Sequence, residues 1–117
     1  MLNSMIRINQ NKNYLLKTML LEAEKMQTYL ESNEDETTKL LYLLQNFKYS
    51  IWHVENNGEI EERYQTQLYV ILREYNWIIA TLEKMIIFNQ KTDGINNILT
   101  TFKAMNKPFK NILDEME

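Results

Sequence analysis

Glycine stands only at 58 and 94, and proline only at 108, in a chain of 117 residues. Folds built from many strands need both residues at their turns, whereas long helices exclude them from their interiors. The scarcity therefore allows only long uninterrupted segments with few connections, and an all-α chain is expected before any pattern is read. The spacing of apolar residues agrees. Leu40, Leu44, Phe47, Ile51 and Val54 follow one another by 4, 3, 4 and 3, the seam of a helix in a bundle.

Three more segments obey the same rule. Residues 11–30 carry Leu16, Met19, Leu20, Ala23, Met26 and Leu30 on one face. Residues 59–89 carry Ile60, Tyr64, Leu68, Ile71, Tyr75, Ile78, Leu82 and Met85, which predicts a third helix of roughly 45 Å, longer than its neighbours. The last segment carries Ile95, Ile98, Phe102, Met105, Phe109, Ile112 and Met116. Its phase runs straight through Pro108, which removes a backbone bond and crowds the carbonyl of Ala104, so one kinked helix is expected. Connections this short favour antiparallel neighbours. The expectation is an all-α, antiparallel four-helix bundle-like single domain over residues 1–117, with a long central third helix and a kinked fourth. Residues 1–10 read equally as an extension of the first helix or as a separate arm.

Breaks between segments carry helix-end chemistry. Asn33 followed by Glu36 resembles a capping box, with acids in the first turn of helix two. Gly58, or Asn57, supplies a left-handed stop, and Thr92 or Asp93 a cap for helix four. Asn-Gly often marks a β-hairpin, but both flanks here have the helical period.

The stretch YSIWHVENNGEIEERY holds the single histidine and raises the question of catalysis. His53 falls off the seam of helix two, on a side stripe with Tyr42, Asn46 and Tyr49, in the last turn, where the macrodipole favours positive charge. One histidine cannot build a di-iron carboxylate centre, and without cysteine there is no thiolate nucleophile or zinc–thiolate site. Ser50 lies three residues back on nearly the same face, but a regular helix offers no oxyanion hole there. No catalytic residue, metal or cofactor is assigned, and the chain reads as a non-enzyme.

Charge and hydropathy exclude further classes. The formal charge is −3, from 13 Lys and Arg against 16 Asp and Glu, the opposite of a nucleic-acid binder's usual balance. The N-terminus lacks an unbroken apolar signal segment, and the most apolar window, YNWIIATLEKMIIF, is interrupted by Glu83 and Lys84. A cytoplasmic protein with no membrane partner is expected. Abundant Asn, Lys, Ile and Tyr with few Ala suggest an AT-rich genome, a style shared by small helical proteins of phages and plasmids.

What the seams do not use is aromatic. Tyr69, Val70, Trp77, Ile87 and Phe88 lie off the seam of helix three, and Tyr49 and Trp52 off that of helix two. A helix apolar nearly all round must be covered on several sides. Either the rest of the fold wraps helix three, or these seven residues meet a second subunit or another protein, since Trp and Tyr are favoured interface anchors. Counted from the turn at Asn57, Trp52 and Trp77 lie at levels roughly 20 Å apart, which predicts two contact zones. The functional expectation is a helical-bundle protein that acts by protein–protein interaction, as an inhibitor, immunity factor or regulator, and as a homodimer if the partner is itself. The alternative is a nucleic-acid-associated accessory subunit using Lys103, Lys107 and Lys110 with Asn106 and Asn111.

Overall fold

The computed structural model describes residues 2–57, 60–88 and 94–116, with side chains from residue 14 onward. It is all-helical: α1 spans Leu2–Glu31, α2 Thr37–Asn57, α3 Glu62–Ile87 and α4 Gly94–Met116. Helix α1 packs on α2 and α4, and α3 packs on α2 and α4, while the diagonal pairs α1–α3 and α2–α4 make no close backbone approach. The four helices thus form a ring around one core. No helix is central, and α1, with 30 residues against 26 in α3, is the longest. The expected wrapping of α3 fails because α1 lies across the core from it.

The apolar seams are buried as the spacing predicts. Met19, Ala23, Met26, Phe47, Ile51, Val54, Leu68, Tyr75, Ile78, Ile98, Phe102 and Phe109 are nearly or wholly inaccessible, with Leu40, Ile60, Met85, Ile95, Met105 and Met116 half-buried at the margins. At the centre the Phe47 ring meets Tyr75 edge-on, centroids 5.0 Å apart, and Phe102 lies 5.6 Å from Phe47. Such aromatic pairs add about 0.5–1.5 kcal/mol beyond their buried area. Burial raises the Tyr75 phenol above its ordinary value, with a smaller contribution from Glu24. Its hydroxyl donates to Asn106 Oδ1 at 2.6 Å, and Asn106 Nδ2 donates to Gln27 Oε1 at 2.8 Å. Asn106 is only 6% exposed. Its sequence reading as a surface contact for nucleic acid is therefore wrong: it is the polar partner that a core tyrosine requires.

Helix ends depart from the expected capping. Asn33 has φ 59°, a left-handed conformation that asparagine tolerates better than most residues. It lies in the turn after α1 rather than capping α2. Helix α2 starts after Glu36, whose carbonyl accepts from the Leu40 amide. The same carbonyl accepts from the Tyr29 hydroxyl, while the Glu36 amide donates back to that oxygen, both at 2.9 Å. One buried tyrosine therefore holds the α1–α2 connection through its backbone. Lys39 Nζ, 2.8 Å from Glu34 Oε2, is held above its ordinary pKa by that hydrogen bond.

Helix α3 begins at Glu62, later than expected, because Ile60 and Glu61 are non-helical and Glu61 is extended at φ −57°, ψ 137°. The expected stop at Gly58 and caps at Thr92 and Asp93 lie outside the described residues. Helix α4 runs unbroken through Pro108. Among the described residues no helix is long and apolar enough to cross a membrane.

Candidate interaction surface

Helical geometry decides which off-seam residues share a face. On α3, Val70, Trp77 and Phe88 are 7 and 11 residues apart, close to two and three whole turns, so they form one stripe. Tyr69 and Ile87 are 18 apart, five turns, and form another. The grooves flanking α3 orient the two stripes. Tyr69 lines a groove shared with Val54 and Glu55 of α2, whereas Val70 lines one shared with Met105, Pro108 and Ile112 of α4. The α3 surplus is thus split between an α2 flank and an α4 flank.

All seven residues singled out from sequence are exposed in the monomer, with Trp52 at 53% and Trp77 at 44%. Other stripes of the same helix are not: Leu72 and Ile79 are buried and Ile86 half-buried. Four large apolar residues that the sequence reading did not single out as contacts, Tyr14, Leu21, Leu41 and Tyr42, are exposed as well. All four lie off the seams, Leu21 and Leu41 directly beside the seam residues Leu20 and Leu40, which is the signal that would have found them.

On α2 the exposed aromatics form a cluster. The Tyr49 and Trp52 rings stack with centroids 6.4 Å apart, and His53 stands edge-on to both, at 4.4 and 5.3 Å. Tyr49 and Trp52 are accordingly pre-arranged, which lowers the ordering cost of binding. The histidine is engaged as a ring in this cluster. Ser50 is buried and donates its hydroxyl to the Asn46 carbonyl at 3.0 Å. Among the described residues no group of three His, Asp or Glu side chains lies close enough together to hold a metal ion.

The level of the two tryptophans differs from the expectation. Asn76 Nδ2 donates to Glu55 Oε2 at 3.4 Å, and Lys48 Nζ to Glu83 Oε2 at 3.3 Å. Trp52 is three residues from Glu55, and Trp77 directly follows Asn76. Both lie on the same side of the Asn76–Glu55 contact, towards Lys48 and Glu83, so along the helix axis they are separated by about 3 Å plus side-chain reach, not 20 Å. Counting at helical rise from a tight turn failed because Ile60 and Glu61 are non-helical and α3 coils only from Glu62. Two zones still result, divided by flank rather than level: Tyr49 and Trp52 with Tyr69 towards α2, and Val70, Trp77 and Phe88 towards α4.

The alternative surface is also laid out. Lys103, Lys107 and Lys110 are exposed on α4, together with Asn111, but Asn106 is not among them. Comparison of the chain with protein-family models, curated proteins and solved structures gave no match.

Proposed function

We propose that this protein acts by binding another protein through the exposed aromatic and aliphatic residues of α2 and α3, without catalysis, as an inhibitor, immunity factor or regulator. One observation carries the reading. From Tyr75 to Phe88 the chain is apolar on nearly every side, yet the fold covers only part of it and leaves Trp77, Ile87 and Phe88 in solvent, with Tyr69 and Val70 of α3. Large exposed apolar areas on a small monomer mark interaction sites, and anchors of this type dominate binding energy where they are found.

Geometry supports the finer architecture within this proposal. As residue numbers rise from Lys48 to Glu55 on α2, their partners fall from Glu83 to Asn76 on α3, the register of antiparallel neighbours. Pro108 inside α4 has no amide for the Ala104 carbonyl, which supports a kink there. A cytoplasmic protein encoded on a phage or plasmid fits the missing cysteines and the AT-rich residue usage.

The test is affinity capture by the tagged protein from the cells that make it, with Trp77→Ser and Trp52→Ser variants alongside. A protein retained by the parent and lost by one of these folded variants is the expected result. Recovery of the chain alone, with a doubled mass in light scattering that Trp77→Ser abolishes, assigns the surface to a homodimer. Equal recovery by parent and both variants overturns the reading. If binding is instead to mixed DNA and weakens steeply with salt, the α4 lysines are the contact.

A further inference from the structure

At one end of the bundle a cleft of about 240 Å³ opens between the α1–α2 connection, the last turns of α3 and the first turn of α4. Its apolar wall is Leu30, Leu40, Leu82, Met85, Ile86 and Ile95, and its rim includes Glu34 and Asp35. The next residues along the chain, Ile87 and Phe88, are 74% and 66% exposed. The segment that supplies the rim is acidic: residues 31–39 carry the carboxylates of Glu31, Glu34, Asp35 and Glu36 and the ammonium of Lys39, which pairs with Glu34 at 2.8 Å. All five side chains are exposed, and Glu34 and Asp35 are the two that line the cleft. That rim is also fixed in place. Tyr29 holds Glu36 by both backbone groups, and the Ser32 hydroxyl donates to the Tyr29 carbonyl at 2.7 Å.

We infer that the cleft seats a large apolar side chain carried by a basic segment of the partner protein, so that Lys or Arg residues flanking that anchor face the acidic rim. The inference rests on the proposed protein-binding function and adds the chemistry of the partner. A free apolar molecule or an apolar segment without charge would account for the cleft but would not use the rim. Complementary charge of this kind governs orientation and association rate. Met85, unbranched and adaptable, suits a wall that must fit a side chain from outside.

The direct probe is a synthetic 14-residue helical peptide with leucine at i, i+3, i+4 and i+7 and lysine elsewhere, titrated into protein carrying methyl-labelled Ile, Leu and Met. A twin peptide with glutamate for lysine is the control. The expected result is a saturable shift of the Met85, Ile86 and Ile95 methyls with the lysine peptide only. Affinity should fall at least tenfold in a Glu34→Gln, Asp35→Asn, Glu36→Gln protein whose unfolding midpoint matches the parent's. Equal response to both peptides, equal affinity after the triple neutralisation, or shifts confined to residues around Trp52 and Trp77 would overturn the inference. An Ile95→Trp variant, which fills the cleft, separates this from the broader reading. If it still retains a partner that Trp77→Ser loses, the cleft assignment fails and the protein-binding function stands. If neither parent nor variants retain any protein, the function fails first.

Discussion

The Tyr75 hydroxyl and the Asn106 amide oxygen meet at 2.6 Å in the middle of the core, joining α3 to α4, and Asn106 continues to Gln27 on α1. Through Asn106 the relay links α3 to α1, which stand on opposite sides of the ring without close backbone approach. Removing one partner leaves the other buried and unsatisfied, which costs more than the bond itself contributes. Tyr75→Phe should cost about 1–2 kcal/mol and Asn106→Leu about 2–3 kcal/mol. The double variant should cost clearly less than the sum, because it leaves neither group orphaned. Urea unfolding midpoints of the four proteins check this, and strict additivity would show that the pair is not coupled.

The same tyrosine sets an alkaline limit. Burial raises its pKa above the ordinary 10.0, so the unfolded chain loses the phenol proton first as pH rises. Below pH 10 both states hold the proton and stability is unaffected. Above it the unfolded state binds fewer protons, and stability should fall by about 1.4 kcal/mol per pH unit from this group until the folded protein also ionises. Unfolding free energies of the parent and Tyr75→Phe between pH 9 and 11 isolate the effect. The parent's curve should steepen past pH 10 relative to the variant's, and parallel curves would count against a buried neutral phenol.

Tyr29 tests the connection between α1 and α2. Its hydroxyl is the partner of both backbone groups of Glu36, and the Glu36 side chain is exposed, so water can replace part of the loss. Tyr29→Phe should therefore cost only about 1 kcal/mol globally, with amide exchange at Glu36 accelerated far more than exchange at Leu68 in the core. Equal acceleration at both sites would mean that the staple is not local.

The seams were legible because a 3.6-residue period survives in sequence wherever burial enforces it, as in Leu16, Met19 and Ala23 or Ile98, Phe102 and Phe109. Asn106 was not, although it lies four residues after Phe102 and three before Phe109, because a polar type at a seam position reads as surface unless its partner is known. That partner, Tyr75, reads from the sequence as a core residue, and the spacing says nothing of what its hydroxyl meets. The exposed aromatics were legible as residues off the seams. Their grouping was not, because the level of α2 against α3 depends on where α3 starts to coil after the non-helical residues 60 and 61, and the flank of each stripe depends on which helix lies beside it.

Gly94 offers a check on the wall of the end cleft. It opens α4 without a left-handed φ, so alanine fits the backbone, and among the described residues an added Cβ would meet the flexible end of Met85, with Sδ at 3.3 Å. Gly94→Ala should stabilise by roughly 0.5 kcal/mol, the gain from restricting the unfolded chain less a small displacement of the thioether. Thermal unfolding measures the gain, and the Met85 methyl resonance should move. Destabilisation would mean that Met85 cannot give way.

Core and surface aromatics should separate cleanly in one measurement. Phe102 is fully buried and touches both Phe47 and Tyr75, so Phe102→Ala should cost about 3–5 kcal/mol. Tyr69, 62% exposed, keeps most of its ring in water, so Tyr69→Ser should stay within about 0.5 kcal/mol of the parent. In a monomer both values hold at every protein concentration. In a homodimer built on the α2 flank of α3, Tyr69→Ser would instead lower the unfolding midpoint, and the parent's own midpoint would rise with concentration. A midpoint that does not move over a hundredfold range of concentration leaves the exposed aromatics to a different protein.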